Sequence, residues 1–257
     1  MREIKIVYYT LIIILTVSCR DNEQPSKIVL DKVIYGDEET GKYVYKNGQL
    51  IRYEYYSIDK LIQYDLYNYT DDLLTSKKYY SLNNDGQFEK FSEATITYDL
   101  DNNLSEVSIE QIDRQITYKA TWTNNYITKI ERIEDNISTN TELEYNDKGN
   151  IIKFIDFSSD GSINYILECE YDSNPNPKYK LNDPTDIVFL DFTNSSPNNA
   201  TSIIQKIDFD SEVYATTEIT YTYNDKGLPN ERQYQVTALG ETRVTLAKFS
   251  YKSIKTN

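Results

Sequence analysis

The stretch Ile219-Thr220-Tyr221-Thr222-Tyr223-Asn224-Asp225-Lys226-Gly227-Leu228-Pro229 alternates apolar or aromatic residues with threonine and then breaks at Asn-Asp-Lys-Gly. Alternation with a period of two predicts a β-strand with one buried face. The break predicts a tight turn, because glycine adopts positive φ at no steric cost and Asn or Asp hydrogen-bonds its own local backbone. The same plan of a strand-ending tyrosine, an Asn/Asp cluster and a glycine recurs in Tyr45-Lys46-Asn47-Gly48 and Tyr145-Asn146-Asp147-Lys148-Gly149. Tyr98-Asp99-Leu100-Asp101-Asn102 places an asparagine where the others have glycine, and asparagine tolerates the left-handed region. Tyr69-Thr70-Asp71-Asp72, Trp122-Thr123-Asn124-Asn125 and Tyr171-Asp172-Ser173-Asn174 are weaker copies.

The strand-ending aromatics Tyr45, Tyr69, Tyr98, Trp122, Tyr145, Tyr171 and Tyr223 lie 24, 29, 24, 23, 26 and 52 residues apart. One unit is therefore two strands and two turns, and the last interval reads as two units with a degenerate turn near Asn198-Asn199. Turns at Asn84-Asp85-Gly86 and Ser159-Asp160-Gly161 close the opposite edge. Similar alternation in Ala94-Thr95-Ile96-Thr97-Tyr98 and Ile116-Thr117-Tyr118-Lys119-Ala120-Thr121-Trp122 extends the pattern. The expected fold is all-β: one large antiparallel up-and-down meander of repeated hairpins, a dozen or more strands, curled or barrel-like over residues 28–257. The Pro-Asn stretches Ser173–Pro177 and Asn194–Asn199 bracket its most irregular part, where a loop excursion is expected. The outer face of Thr, Lys and Glu supplies no lipid-facing band, so the strands are not expected to span a membrane.

The N-terminus addresses location. Arg2 and Lys5 precede a short apolar run, Ile6 to Leu15, and then Leu15-Thr16-Val17-Ser18-Cys19 and the polar Arg20-Asp21-Asn22-Glu23. The run is shorter than the roughly 20 apolar residues a spanning helix needs, and the layout is that of a signal peptide over residues 1–18. Leu-Thr-Val-Ser-Cys resembles the lipobox of bacterial lipoproteins. That resemblance implies diacylglycerol on Cys19 as the lipid attachment, with residues 19–27 as tether and the bilayer as first partner. The other cysteine, Cys169, shares a strand face with Tyr165, Leu167 and Tyr171 and is expected to be buried and inert.

Composition narrows the chemistry. The 257 residues contain no histidine, which removes imidazole acid-base catalysis, Ser-His and Cys-His nucleophile pairs, and histidine metal ligands. With 41 Asp+Glu against 27 Lys+Arg the net charge is −14, which disfavours nucleic acid as a partner. The acids Glu142/Glu144 and Glu168/Glu170 share exposed strand faces, as expected of a solvated surface. Neither Asp99–Asn103 nor Asn83–Gly86 has the distal glutamate of a calcium loop, so no cofactor or metal is expected beyond the lipid. Most of the 25 tyrosines punctuate hairpins. Tyr53, Tyr55, Tyr56, Tyr79 and Tyr80 place rings on both faces of their strands and are the candidate ligand-binding residues.

The Tyr-Asn-Asp-Lys-Gly units look like the YD repeats of secreted Rhs-type shells. Combined with the lipobox, Tyr171–Pro177, Asn198-Asn199-Ala200-Thr201 and Tyr223–Pro229, the chain resembles a group of uncharacterised Gram-negative lipoproteins with a soluble, porin-like meander. The resemblance implies an outer-membrane, lipid-anchored location. Asp21 and Glu23 are similar to an export signal for the cell surface, interrupted by Asn22. It carries no catalytic residues. The expected function is a non-catalytic binding or scaffold module for a glycan, peptide or envelope protein. A structural or assembly component is the alternative, followed by a carboxylate-dependent glycan hydrolase.

Overall fold

The computed structural model describes residues 26–181, 183–188, 191–209 and 212–255. Cys19, the expected lipid attachment, and the expected signal peptide lie outside them. Sixteen antiparallel strands are present among the described residues. The first eight are β1 (Ser26–Tyr35), β2 (Glu39–Lys46), β3 (Gln49–Ser57), β4 (Lys60–Thr70), β5 (Leu73–Leu82), β6 (Phe88–Tyr98), β7 (Leu104–Gln111) and β8 (Gln115–Thr123). The second eight are β9 (Tyr126–Glu134), β10 (Ile137–Tyr145), β11 (Ile151–Phe157), β12 (Ile163–Pro175), β13 (Asn198–Lys206), β14 (Val213–Tyr223), β15 (Pro229–Ala238) and β16 (Glu241–Lys255). Each pairs with its sequence neighbour, and β1 pairs with β16 from Ser26↔Lys255 to Tyr35↔Ala247, so the meander closes into a barrel. Closure removes both edges of the sheet, whose unpaired N–H and C=O groups would otherwise template aggregation.

The turns follow the chemistry of their residues. Asn47-Gly48, Asp71-Asp72 and Asn124-Asn125 have positive φ at both positions, as a two-residue type I′ hairpin requires. The longer turns have one positive-φ residue, Asn102, Gly149 or Gly227. In these the leading side chain caps the loop: Asn146 Oδ1 accepts from the Lys148 and Asn150 N–H groups, both at 3.0 Å, and Asp99 Oδ1 accepts from Asp101 and Asn103, both at 2.9 Å.

All seven strand-ending aromatics sit at a register shift. Thr97 faces Glu106, whereas Tyr98 faces Leu104, and the same skip occurs at Tyr45, Tyr69, Trp122, Tyr145, Tyr171 and Tyr223. Each is a bulge with the extra residue on the following strand, a device that bends the sheet and strengthens its twist. In four of them the ring's polar tip caps a backbone carbonyl one hairpin back, whereas the Tyr223 hydroxyl donates to Asp172 Oδ2 and the Tyr45 hydroxyl is buried with no partner among the described residues. Tyr98 donates to Leu74 O (2.9 Å), Trp122 Nε1 to Leu104 O (2.7 Å), Tyr145 to Ile127 O (2.9 Å), and Tyr171 to Ile151 O (2.6 Å).

The 52-residue interval departs from expectation. Asp172–Asn174 form no turn; β12 runs on to Pro175, and Asn198-Asn199 opens β13. The interval holds one hairpin unit and one insertion, residues 176–197. The insertion contains a 3-10 turn (Tyr179–Leu181), α1 (Thr185–Val188) and α2 (Phe192–Ser195) and packs inside the barrel, where Val188 joins the core and Leu181 and Ile187 lie against it. A barrel of sixteen strands is too wide for wall side chains to fill, and this plug occupies the space. Asparagines hold its ends: buried Asn150 and half-buried Asn198 exchange two hydrogen bonds (2.9 and 3.0 Å), and buried Asn176 donates to Thr193 O (2.6 Å) and Ser196 O (3.0 Å).

The inner face carries Leu30, Val33, Tyr43, Ala94, Val107, Ile109, Ile130 and Phe154, all buried. The outer face carries ion pairs such as Lys206–Glu168 (2.8 Å), Lys153–Glu144 (3.2 Å) and Lys78–Glu93 (3.5 Å), with threonine pairs between them. Replacing Asn150, which is fully buried, by Ala removes both bonds to Asn198. It should destabilise the fold by about 2 to 3 kcal/mol, against about 1 kcal/mol for Tyr145→Phe. Urea denaturation monitored by circular dichroism measures both.

Candidate functional site

Strands β4 and β5 project Asp65, Tyr67, Lys77 and Tyr79 into the lumen, with Asp65 opposite Tyr79 and Tyr67 opposite Lys77. From the plug, Asp183 meets them. Its Oδ2 lies 3.0 Å from Lys77 Nζ, which is also 3.6 Å from Asp65 Oδ2 and 5.0 Å from the ring centres of Tyr67 and Tyr79. The side chains of Lys77, Asp65 and Asp183 are only 9, 7 and 5% exposed. Asp183 also accepts from the Thr185 backbone N–H (3.0 Å) and Oγ1 (2.6 Å). Burial opposes the charge on Lys77, but the Asp183 carboxylate and the neighbouring tyrosines outweigh it and raise the ammonium pKa well above its usual value. Asp65 is the more distant acid, and burial raises its pKa despite the pull of Lys77. Asp186 rises further, through burial and then the adjacent Asp183 charge.

These groups border a cavity of about 180 Å³ shared with Tyr43, Tyr53 and Lys178. The phenols of Tyr43 and Tyr67 are pushed up, chiefly by burial, and burial likewise raises the Cys169 thiol to about 12. None of these three is a nucleophile at neutral pH. The chemistry available is hydrogen bonding and charge complementarity around a small, partly open space. Among the described residues, no group of three or more His, Cys, Asp and Glu side chains could hold a metal ion.

The five candidate tyrosines do not form one surface. Tyr53 turns inward against Tyr43 (ring centres 5.0 Å apart), in space kept open by Gly41, where a Cβ would sit 2.6 Å from Tyr53 Oη. Tyr55 shares that face and is hydrogen-bonded to Glu39; burial and then that bond raise its phenol to about 12. Tyr79 is buried in the core against Phe91. Tyr56 and Tyr80 face outward: Tyr56 donates to Glu54 (2.7 Å) beneath Lys42, and Tyr80 stacks on Tyr64 at 4.7 Å. The split follows from the strand period, because neighbours such as Tyr55/Tyr56 and Tyr79/Tyr80 must point to opposite faces.

Asp65 and Lys77 are not among the residues the sequence singles out, although both stand two residues from a tyrosine on an inward-facing row. That parity was the available signal. Asp183, Asp186 and Lys178 lie in the irregular insertion and carried none.

Lys77→Met would leave two carboxylates buried without a counter-charge and should cost about 3 to 5 kcal/mol at pH 7. Asp186→Asn should do the opposite. The folded-state pKa of Asp186 is raised, so the native state holds a proton that the unfolded chain releases, and stability falls as pH rises from the ordinary carboxylate range through the raised value. The asparagine variant should therefore be more stable than the parent at pH 7 and nearly equal to it at pH 4, as read from urea midpoints at both pH values.

No family model matches the chain, and no curated protein matches it in sequence. Among solved structures it is similar to a porin-like protein from Bacteroides uniformis ATCC 8492, with 13% identity, a TM-score of 0.42 and coverage of 87% of this chain and 96% of that one. It is likewise similar to a porin-like protein from Bacteroides vulgatus ATCC 8482, at 12% identity and a TM-score of 0.40, covering 87% of this chain and 99% of that one. A third likeness, to the Tc holotoxin pore of Photorhabdus luminescens, has 10% identity and a TM-score of 0.22 and covers 80% of this chain but 12% of that one.

Proposed function

We propose that this chain is a non-catalytic envelope lipoprotein: a plugged barrel held beside a bilayer by lipid on Cys19, serving as a binding or scaffold module. One observation carries the reading. The outward rows of the barrel bear Lys–Glu pairs and threonines where a spanning barrel needs a continuous apolar band, so attachment falls to the N-terminal segment. Several acyl chains on one residue hold a protein at a membrane durably, whereas one alone is marginal. Strand β1 begins at the end of the barrel where the tyrosine turns and the plug lie. Residues 19–25 reach at most about 25 Å, which keeps that end near the lipid. The non-catalytic part rests on Asp183, the acid whose charge acts most strongly on Asp186. It is already engaged by Lys77 and Thr185, and Asp191, the next acid acting on Asp186, is engaged by Thr193 and Asn194, so neither is free to complete a hydrolytic pair.

Labelled palmitate should be incorporated by the parent and by Cys169→Ser but not by Cys19→Ala, which should move from the membrane to the soluble fraction. A Cys19→Ala protein that stays in the membrane after a high-salt wash would point instead to insertion of the barrel itself. Protease treatment of intact cells should degrade the parent if it stands on the cell surface; survival until lysis would place it on the periplasmic side.

A further inference from the structure

Between the plug and the rim of β6, β8 and β10 lies a cleft of about 290 Å³. Its wall is a row of rings, Tyr98, Trp122 and Tyr145, that end alternate strands and so stand about 10 Å apart along the sheet. Their polar tips are spent on backbone carbonyls. The rings are thereby locked, and what they offer the cleft is apolar surface. Tyr126 stacks on Tyr145 at 4.6 Å and is 36% exposed, and Tyr179 of the plug, 47% exposed, stands on the same cleft.

Polar groups face these rings. The side-chain amides of Asn102 and Asn125, on the rim turns, and the carboxyl of Asp186, on the plug, have no hydrogen-bond partner among the described residues, and Lys178 lies beside Asp186 with no ion pair among them. An anionic ligand would meet Asp183, Asp186 and a chain of net charge −14. A cationic one would meet Lys178. A hydroxyl both donates and accepts, so vicinal hydroxyls can serve an ammonium, a carboxyl and two amides at once, while the C–H face of a pyranose lies on an aromatic ring. We propose that this cleft binds an uncharged saccharide of one or two rings, presented either free or as the headgroup of a glycolipid. This deepens the binding reading above and depends on it.

Trp122 is the chain's single tryptophan, so its emission reports on the cleft directly. The whole chain, in a non-glycosidic detergent, is titrated with neutral mono- and disaccharides of glucose, galactose, mannose, fucose and N-acetylglucosamine, with glucuronate and glucosamine as charged controls. At least one neutral sugar should change the emission saturably. Tyr179→Ala, Tyr126→Ala and Asn125→Gly, which keeps the positive φ of its turn, should each weaken that binding by up to about tenfold, and Tyr56→Ala, on the outer face, should not. All three cleft positions lie at the rim, and an unchanged melting temperature verifies their folding. The proposal falls if no neutral sugar binds, if a charged control binds as tightly, or if binding ignores all three cleft variants. Repeating the titration with the same sugar on glycolipid vesicles separates the sources: a gain over the free sugar marks a headgroup ligand, and equal affinity marks a free one. Palmitate labelling is read separately, so loss of the anchor with sugar binding intact refutes only the anchor.

Discussion

A meander of sixteen strands must dispose of two edges, each a row of unpaired amides and carbonyls, and this chain does so by pairing β1 along its length with the Ala247–Lys255 part of β16. Every later feature depends on that closure. It encloses a lumen wider than wall side chains can fill, and it buries the side chains that face that lumen, where a polar group left without a partner is costly. The inward tyrosines narrow the space, and residues 176–197 fold back to occupy the remainder. Because that segment carries Asp183 and Asp186 into the barrel, the wall supplies Lys77 to meet them. The buried ion pair is thus a product of how the hole is plugged.

The bulges at the strand-ending aromatics serve the same geometry. Each adds one residue to the following strand and bends the wall, and at Tyr98, Trp122, Tyr145 and Tyr171 the ring reaches a carbonyl one hairpin back. Phenylalanine would fill the volume but leave that carbonyl bare, which explains why the repeat favours tyrosine and accepts tryptophan at 122, whose indole N–H does the same work. The positional role of the tip is compatible with the recognition role proposed for the ring. With the hydroxyl or indole N–H occupied by the backbone, the ring is held in one orientation with its apolar surface bordering the cleft.

Legibility in the sequence tracked the range of the interaction. Turn chemistry at Asn47-Gly48 and Asn102 and the buried state of Cys169 follow from local periodicity and backbone preference, and both are as expected. The insertion was visible only as irregular Pro-Asn composition, and the interval containing it was misread as two units because its length happened to match. Tyr53 and Tyr79, grouped with Tyr56 and Tyr80 as aromatics on both strand faces, turn out to line the lumen. Strand parity separates the two sets but does not reveal which set faces inward until the sheet is closed.

The amino-acid sequence by itself determined the all-β meander, the repeat unit, the turn chemistry and the charge of the outer face, because each depends on neighbours within a few residues. Tertiary structure alone decided that β1 closes on β16, that residues 176–197 enter the lumen, and that Lys77 meets a carboxylate 106 residues away. Those outcomes are set by the width of the closed barrel and by burial of charge within it. No local pattern encodes either, since both arise only once distant strands share a common interior.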